Sequence, residues 1–469
     1  MRKLLRISSV ASLVALTVGA GTAVPSSGGA QRAEPAAAAV ARYWTAEKRA
    51  QAVPRDLRVD ARGLGYLRLP SGALQPYGHG TPAAKPIAEA DTTGPSVTNM
   101  DPGSDATIGS AYTFKATVTD ASGIRSVSFV ITYPDNVTTQ SFKASNTGND
   151  VWAVSLQGFS NGSWKWHVVA KDKAPRGGNT TTTAKVSFTV STSGGGGGGG
   201  DGTVTNAEWT QGGALQTAIG RIYFEMPSNN QQTRWTGYVC SGTAVTDGAG
   251  AVSIVLTAAH CVYDDAHKAF ARNVLFIPDQ AHTSASGTDL DCGNDPLGCW
   301  APSHGVVDSD WANRTWPDNI PWDYAYYVVP TSDAHSGTAT SSDSLESAAG
   351  TLVISFSPPT VDAFTHALGY SYNQDPKLMY CAQDMGTEGA DNWWLSQCQL
   401  SGGSSGGPWI QPLNTSTGSG PVISVNSWGY TNSPGMAGPK LSGSSAQCVF
   451  GDAQTKTPNT TRGYLSSCN

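Results

Sequence analysis

The feature that most constrains the fold of this chain is an unbroken run of seven glycines, Gly194–Gly200. Glycine has no side chain to bury and loses much conformational freedom on folding, so such a run favours no fixed structure. We therefore expect a flexible tether between units that fold separately. With 469 residues, the chain is long enough for two or three domains. We place the linker at 193–202 and a C-terminal domain at 203–469.

Residues 93–192 consist of short runs in which apolar and polar residues alternate, such as Val127–Ile131 and Trp164–Val168. Glycine, asparagine, aspartate and proline separate these runs, as they do between antiparallel strands. The pattern predicts a β-sandwich, and it resembles the pattern of bacterial immunoglobulin-like modules. This stretch has no cysteine, so its aliphatic and aromatic residues must form the core.

The N-terminus has the composition of an export signal. Arg2, Lys3 and Arg6 precede an uncharged apolar run over 10–20, and small residues follow. This order predicts a signal peptide at 1–23 and a secreted, extracellular protein. Residues 24–92 have little hydrophobic periodicity, and the sequence leaves open whether they form a pro-segment or a disordered arm. A short helix over 40–51 is compatible with the composition.

Charge and cysteine content limit the kinds of partner. The net charge of −6 and the pI near 5.7 indicate no basic surface, so we expect no nucleic-acid partner. We also expect no transmembrane anchor, because the apolar run near the N-terminus is too short to span a bilayer. The eight cysteines all lie in the C-terminal half, and they are Cys240, Cys261, Cys292, Cys299, Cys381, Cys398, Cys448 and Cys468.

An even number of cysteines in an exported chain predicts disulfide bonds. The sequence contains no CxxC pair of the kind that binds zinc, and we expect neither a metal site nor a cofactor. Four local pairs in chain order are the simplest connectivity. The sequence alone leaves the connectivity open.

Three short motifs in the C-terminal domain can act together. LTAAHC contains His260, Asp323 directly precedes an apolar run, and GGSSGGPW contains Ser405. Hydrolysis by a serine needs a base for the hydroxyl, a carboxylate to orient that base, and backbone donors for the oxyanion. We expect Ser405 as nucleophile, His260 as base and Asp323 as the orienting carboxylate. The N–H groups of Gly403 and Ser405 would serve as the donors.

These motifs, in the order His, Asp, Ser, resemble the trypsin/chymotrypsin family of serine peptidases in its secreted bacterial form. The resemblance covers about 215–450 and implies an all-β domain of two six-stranded antiparallel barrels. It implies a serine endopeptidase that acts on polypeptide substrates through an acyl-enzyme. It also implies a bridge between Cys240 and Cys261, and a strand that pairs with the substrate backbone. The residues of that strand would be Ser427, Trp428 and Gly429.

Several positions depart from the family pattern. Ser404 stands where many members have an aspartate that pairs with a newly released N-terminus, so we expect activation without that ion pair. The β-sandwich could then stay attached in an active form. The half-cystine usually found four residues before the nucleophile is absent, and Cys398 lies seven before it. Because this loop is rebuilt, neither Gln399 nor Asn426 identifies a preferred substrate residue.

Two alternative functions remain open from the sequence. The chain could be an extracellular binding or adhesion protein with a weakly active or inert peptidase fold, although the intact motifs argue against this. The β-sandwich could instead contact a polymer or the cell wall through Trp164 and Trp166. These two tryptophans are two residues apart on a strand and face the same side, which favours core packing.

Overall fold

Strands dominate the structure, a computed structural model. It describes residues 36–60, 62–78, 93–109, 111–120, 122–148, 150–157, 159–173, 179–190, 203–248, 250, 252–284, 288–331, 335–338 and 344–468. The predicted signal peptide and the polyglycine linker lie outside these residues. The all-β fold class is confirmed, since most elements are strands and the longest helix within these ranges has 10 residues. None of the described helices is long and apolar enough to cross a membrane.

The described residues of 36–78, here called the N-terminal segment, form two helices and four short strands. These are α1 (Ala36–Tyr43), α2 (Ala46–Gln51), β1 (Val53–Pro54), β2 (Asp56–Val59), β3 (Gly65–Arg68) and β4 (Leu74–Pro76). The single helix predicted over 40–51 is divided, because Thr45 has extended backbone and its side chain accepts a hydrogen bond from the Lys48 N–H. A threonine in this position caps the start of α2.

The described residues of 93–190, here called the two-sheet module, form ten strands. These are β5 (Ser96–Asp101), β6 (Ala106–Ile108), β7 (Ala111–Thr119), β8 (Ile124–Thr132), β9 (Thr139–Lys143), β10 (Ser145–Gly148), β11 (Val151–Gln157), β12 (Gly162–Asp172), β13 (Thr180–Thr182) and β14 (Val186–Val190). One sheet has the order β10-β11-β7-β5. The other has the order β6-β14-β12-β8-β9, with β13 beside β12.

The two sheets of the module share one core. Trp166 packs against Phe114 of the facing sheet and Phe129 of its own sheet, with ring centroids 5.1 Å apart in both pairs. Its indole N–H donates to the Pro102 carbonyl. Trp164 is also buried. Both tryptophans therefore belong to the core, as the strand pattern favoured, and neither offers an exposed platform to a polymer.

The described residues of 203–468, here called the C-terminal unit, form four helices and twenty strands. In chain order these are β15 (Val204–Glu208), α3 (Ala214–Ala218), β16 (Ile219–Pro227), β17 (Trp235–Val245), β18 (Val252–Thr257), β19 (Tyr263–Asp264), β20 (Ala269–Phe270), β21 (Arg272–Pro278), β22 (Cys299–Trp300), β23 (His304–Asp308), α4 (Ser309–Asn313), β24 (Ala325–Pro330), β25 (His335–Ser336), α5 (Leu345–Ala349), β26 (Phe364–Tyr370), β27 (Leu378–Asp384), β28 (Gly386–Glu388), β29 (Asn392–Leu395), β30 (Pro408–Ile410), β31 (Val422–Val425), β32 (Trp428–Tyr430), β33 (Met436–Pro439), α6 (Ala446–Thr455) and β34 (Gly463–Ser466).

Three sheets build the C-terminal unit. The largest has the order β25-β22-β21-β16-β17-β18-β24-β23-β34, the second β15-β27-β26-β30-β31, and the third begins β28-β29-β33-β32. Side chains from all three meet in one apolar core, including Ile222, Leu368 and Trp428. β19 and β20 form a separate small hairpin.

The N-terminal segment extends two of these sheets. β1 pairs with β17 in the largest sheet, and β2 pairs with β32 in the third, which continues through β3 to β4. The sequence left a disordered arm open for this region, but residues 36–60 and 62–78 are ordered against the C-terminal unit. The interpretation as a pro-segment stays a prediction.

All eight cysteines are paired, in chain order. The disulfides are Cys240–Cys261, Cys292–Cys299, Cys381–Cys398 and Cys448–Cys468. The prediction of disulfides is confirmed, and so is the simplest connectivity. Each bond closes a short stretch of the C-terminal unit, so each pair fixes local structure.

Candidate functional site

His260 and Asp323 come from the ends of two paired strands. β18 ends at Thr257, three residues before His260, and β24 begins at Ala325, two residues after Asp323. The two strands are antiparallel neighbours, with Thr257 opposite Ala325. The end of one strand therefore lies beside the start of the other, which brings the two side chains together.

The carboxylate of Asp323 holds the imidazole of His260 in one orientation. Its Oδ2 lies 2.8 Å from Nδ1 of His260, and its Oδ1 accepts the backbone N–H of His260 at 2.9 Å. The Ser427 hydroxyl also donates to Oδ2 at 2.5 Å. Both side chains are fully buried. With a carboxylate at Nδ1, the proton of the neutral ring sits there and Nε2 carries the lone pair of a base.

Ser405 lies in a glycine-rich turn before β30. Gly403 and Gly406 have φ values of +93° and +82°, a conformation that side chains disfavour. The N–H groups of Ser404, Gly406 and Gly407 donate to backbone carbonyls at 2.8–3.2 Å. Among the described residues, the N–H groups of Gly403 and Ser405 have no such partner. The turn thus leaves free the two donors that the sequence identified.

Two buried side chains on the largest sheet support this turn. Arg221 donates to the carbonyls of Tyr370 and Gly403, at 2.6 and 3.3 Å, and forms an ion pair with Asp375. The Ser241 hydroxyl donates to the same Gly403 carbonyl at 2.9 Å. Sequence reasoning missed both residues. For Arg221 the signal was a charged residue between the apolar residues Ile219 and Ile222 of β16, since a buried charge requires partners.

Asn426 is a third support that the sequence did not explain. Its amide donates to the carbonyls of Ser404 and Leu368, at 3.0 and 2.8 Å, and its oxygen accepts the indole N–H of Trp409 at 2.9 Å. The side chain is fully buried. Asn426 therefore fixes the backbone next to Ser405, which explains why this position is polar.

Ser404 turns inward on its own loop. Its hydroxyl donates to the Ser401 carbonyl at 2.8 Å, and the residue is buried. A buried aspartate at this position would need a cationic partner, whereas the serine hydroxyl needs only a hydrogen bond to a neighbouring carbonyl.

The described contacts join the turn to β17, the neighbour of the strand that precedes His260, although one expected bond is not formed. The Ser241 N–H donates to the Ser405 carbonyl at 2.7 Å, which ties the turn to β17. Nε2 of His260 is buried and has no hydrogen-bond partner among the described residues. The bond between Nε2 and a serine nucleophile commonly tightens only when substrate binds.

Within the part of the chain that the structure describes, two groups of side chains have the spacing of a metal site. Cys240, His260 and Cys261 form one group, and Cys448, Asp452 and Cys468 form the other. In both, the two cysteines are already joined by a disulfide. A zinc site requires free thiolates, so neither group has the ligands that it would need.

Five further histidines of the C-terminal unit lie outside the candidate triad. His304, His335 and His366 are on strands β23, β25 and β26. His267 and His282 lie 3.3 and 2.9 Å from aspartates three residues earlier in the chain. These five histidines are spread over the unit, and no pair of them belongs to a group with metal-site spacing among the described residues.

The strand that the resemblance predicts for substrate pairing already has a partner. β32, which contains Trp428 and Gly429, pairs in parallel with β2 of the N-terminal segment. Ser427 directly precedes β32, and its hydroxyl donates to Asp323. Asp56 and Arg58 of β2 pack against Gly402 and Gly429, and the space between these two glycines, here called the cleft, is therefore occupied by the chain itself.

Comparison with known proteins adds little to this geometry. No protein-family profile matches the chain, and no curated protein matches it. Among 27 matching chains of solved structures is the endo-β-1,4-mannanase from Thermotoga petrophila. That match has a TM-score of 0.18 and 14% identity, and it covers 22% of this chain and 21% of the mannanase.

Proposed function

We propose that this chain is a secreted serine endopeptidase similar to the trypsin/chymotrypsin family, built on two six-stranded barrels. His260, Asp323 and Ser405 form its catalytic triad. The observation that carries the proposal is the bond between Asp323 and Nδ1 of His260 at 2.8 Å, beside a turn with two free N–H groups. The predicted export signal and the four disulfides favour action outside the cell.

In the first half of the proposed reaction, Nε2 of His260 takes the hydroxyl proton of Ser405 while Oγ bonds to the peptide carbonyl carbon. The carbonyl oxygen becomes an oxyanion and accepts hydrogen bonds from the N–H groups of Gly403 and Ser405. The imidazolium, stabilised by Asp323, then gives its proton to the departing amine. The C–N bond breaks and an acyl-enzyme remains.

In the second half, water attacks the acyl carbon while His260 takes one of its protons. The tetrahedral intermediate uses the same two backbone donors. It collapses with loss of Ser405, which recovers its proton from the imidazolium. The products are a free carboxylic acid and the original enzyme.

The proposed substrate is an extended polypeptide. β32 lies next to the candidate triad through Ser427, which directly precedes it in the chain. Its position next to a peptide strand of this same chain supports strand addition as the binding mode. In that mode main-chain hydrogen bonds give affinity, and side-chain pockets give selectivity.

A serine-directed fluorophosphonate tests this function. We expect the label on Ser405, located by peptide mass analysis, and none on the Ser405→Ala chain. Casein hydrolysis should fall by about 10⁶-fold in that variant. Ser416→Ala, a change in an exposed loop, serves as the matched control and should keep the label.

Because β2 covers β32, the same labelling is made on Leu57→Asp, which places a charge in β2. If neither the native chain nor Leu57→Asp is labelled although both are folded, the proposed function is wrong. That outcome would favour a binding protein with an inert peptidase fold.

A further inference from the structure

Residues 53–59, here called the strap, lie along the candidate cleft as an added strand. Leu57 is opposite Trp428, Arg58 is opposite Gly429, and Val59 is opposite Tyr430, all in parallel register. The Thr431 N–H continues this ladder to the Val59 carbonyl at 3.0 Å. The backbone groups of β32 that could pair with a substrate face the strap instead.

The strap is part of the apolar core of the C-terminal unit. Leu57 is 0% exposed and Val59 is 7% exposed, and both belong to the same cluster as Trp428. Burying a leucine in this way stabilises a contact by about 1.5–3 kcal/mol. The base and the nucleophile of the proposed triad are buried as well, since His260 is 0% and Ser405 is 5% exposed.

A buried arginine fastens the strap close to the catalytic histidine. Arg55 is 1% exposed and lies 3.2 Å from the carboxylate of Asp264, four residues after His260. Arg55 also donates to the Tyr77 hydroxyl at 2.6 Å, and Tyr77 in turn bonds to Asp265. These contacts connect the strap and the hairpin that follows it to one loop of the C-terminal unit.

An internal ion pair of the strap reaches both walls of the cleft. Arg58 bonds to the two carboxylate oxygens of Asp56 at 2.7 and 3.2 Å. A methyl group built on Gly402 would lie 2.7 Å from Cβ of Asp56. One built on Gly429 would lie 2.5 Å from Nη1 of Arg58. Gly402 precedes the nucleophile turn and Gly429 is in β32, so the pair lies between the two.

The strap occupies the cleft without the contacts of a substrate. A peptide bond about to be cut would place its carbonyl oxygen on the oxyanion donors. Among the described residues, the N–H groups of Gly403 and Ser405 have no hydrogen-bond partner, and neither has Nε2 of His260. The strap therefore binds beside the reacting atoms and does not engage them.

We propose that the strap is an internal inhibitor that competes with polypeptide substrates for β32. This inference rests on the proposed peptidase function and assigns the regulation of the same site. Activation then consists of displacing the strap. It needs no ion pair at position 404, where the Ser404 hydroxyl is satisfied within its own loop.

The test compares Leu57→Asp with Leu74→Asp in the full chain. Both place a carboxylate in the N-terminal segment, but Leu57 is buried against β32, whereas Leu74 is exposed in β4. We expect initial rates of casein hydrolysis and fluorophosphonate labelling to rise about tenfold or more in Leu57→Asp. Both rates should be unchanged in Leu74→Asp. Equal rates in the native chain and a folded Leu57→Asp would overturn the proposal.

A second measurement does not depend on catalysis. A fluorescent peptide with the sequence of residues 53–60, VPRDLRVD, is titrated into the opened Leu57→Asp chain and followed by anisotropy. We expect saturable binding that a scrambled peptide does not show, and inhibition of labelling over the same concentrations. If the peptide does not bind, the inhibitor proposal is wrong. If it binds and no serine is labelled, the peptidase function is wrong and the strap still occupies β32.

Discussion

The N-terminal segment and the two-sheet module both precede the C-terminal unit, but they depend on it in opposite ways. The described residues of the segment form no separate core. Trp44 and Leu57 instead pack in apolar clusters with residues of the C-terminal unit. The module has its own core around Phe114 and Trp166, with no member from the C-terminal unit. A short segment that is stable only when it packs against the C-terminal unit can regulate that unit by detaching. A module with its own core can stay folded without that contact.

The contacts of the two regions with the C-terminal unit differ in kind. Arg55 and Leu57 of the segment are almost fully buried there. The contacts of the module with the unit include the pair Lys115–Asp362, whose side chains are 25% and 63% exposed, and the approach of Gly148 to Thr387. A cavity of about 960 Å³ lies between the module and the unit. An exposed ion pair beside a cavity is typical of weaker association than a buried apolar contact.

The largest expected effect concerns the core of the module. Trp166→Ala should destabilise the module by about 3–5 kcal/mol, because a large buried side chain leaves a cavity. Since that core is separate, thermal unfolding should show a new early transition while the transition of the C-terminal unit stays in place. Lys165→Ala, on the neighbouring and partly exposed position, is the control. A single transition shifted for the whole chain would contradict the comparison.

The next effect concerns the anchor of the segment. Arg55→Met leaves Asp264 buried without its partner, and breaking such a pair costs about 3–5 kcal/mol. We expect the segment to detach, so hydrogen exchange of β2 and β32 should accelerate together. Arg62→Met is the matched control, because Arg62 pairs with Asp60 but is 66% exposed. Unchanged protection of β32 in Arg55→Met would contradict the dependence of the segment on this anchor.

The sequence predicted the site more completely than the segment, and the reason is physical. His260 and Ser405 lie in motifs where neighbouring residues make the turn, so the local sequence carries the signal. Asp323 could be inferred because it precedes an apolar strand. Two nearby acids, Asp310 and Asp318, do not directly precede an apolar strand. In the structure, the carboxylate that bonds to the imidazole of His260 is that of Asp323. The all-β class followed from alternation, and the disulfides from an even cysteine count.

The strap could not be predicted because its structure depends on distant partners. β2 has only four residues, too few for alternation to separate a strand from a loop. Its partner β32 is in the other half of the chain, and one sequence shows no pairing between them. The supporting role of Asn426 could not be predicted for a similar reason, since its three hydrogen-bond partners come from separate strands and turns.

A smaller effect should appear in the pH dependence of stability near the segment. Burial raises the pKa of Asp295 to about 7, in a loop whose Leu290 carbonyl accepts a hydrogen bond from Arg49 of α2. A carboxyl with a raised pKa binds its proton more tightly in the folded state. The contribution of Asp295 to the free energy of unfolding is therefore present below about pH 4 and is lost as pH rises through about 7.

Asp295→Asn tests this contribution, because asparagine keeps an oxygen for the N–H groups of Leu297 and Gly298. We expect the fall in melting temperature between pH 5 and pH 8 to be smaller in the variant than in the native chain. Asp289→Asn, at an exposed residue of the same loop, is the control. An equal fall in melting temperature in the native chain and in Asp295→Asn would exclude Asp295 as the source of the pH dependence.

The smallest expected effect is at the contact of the module. Lys115→Ala removes the pair with Asp362, whose atoms are 3.1 Å apart, and exposed pairs contribute about 0–1 kcal/mol. Salt screens such charges, so the variant and the native chain should become indistinguishable in unfolding experiments at about 1 M salt. Fluorophosphonate labelling should not change, because the module does not hold the strap. A loss of stability of about 2 kcal/mol or more, or a change in labelling, would show that the module is coupled to the cleft as the segment is.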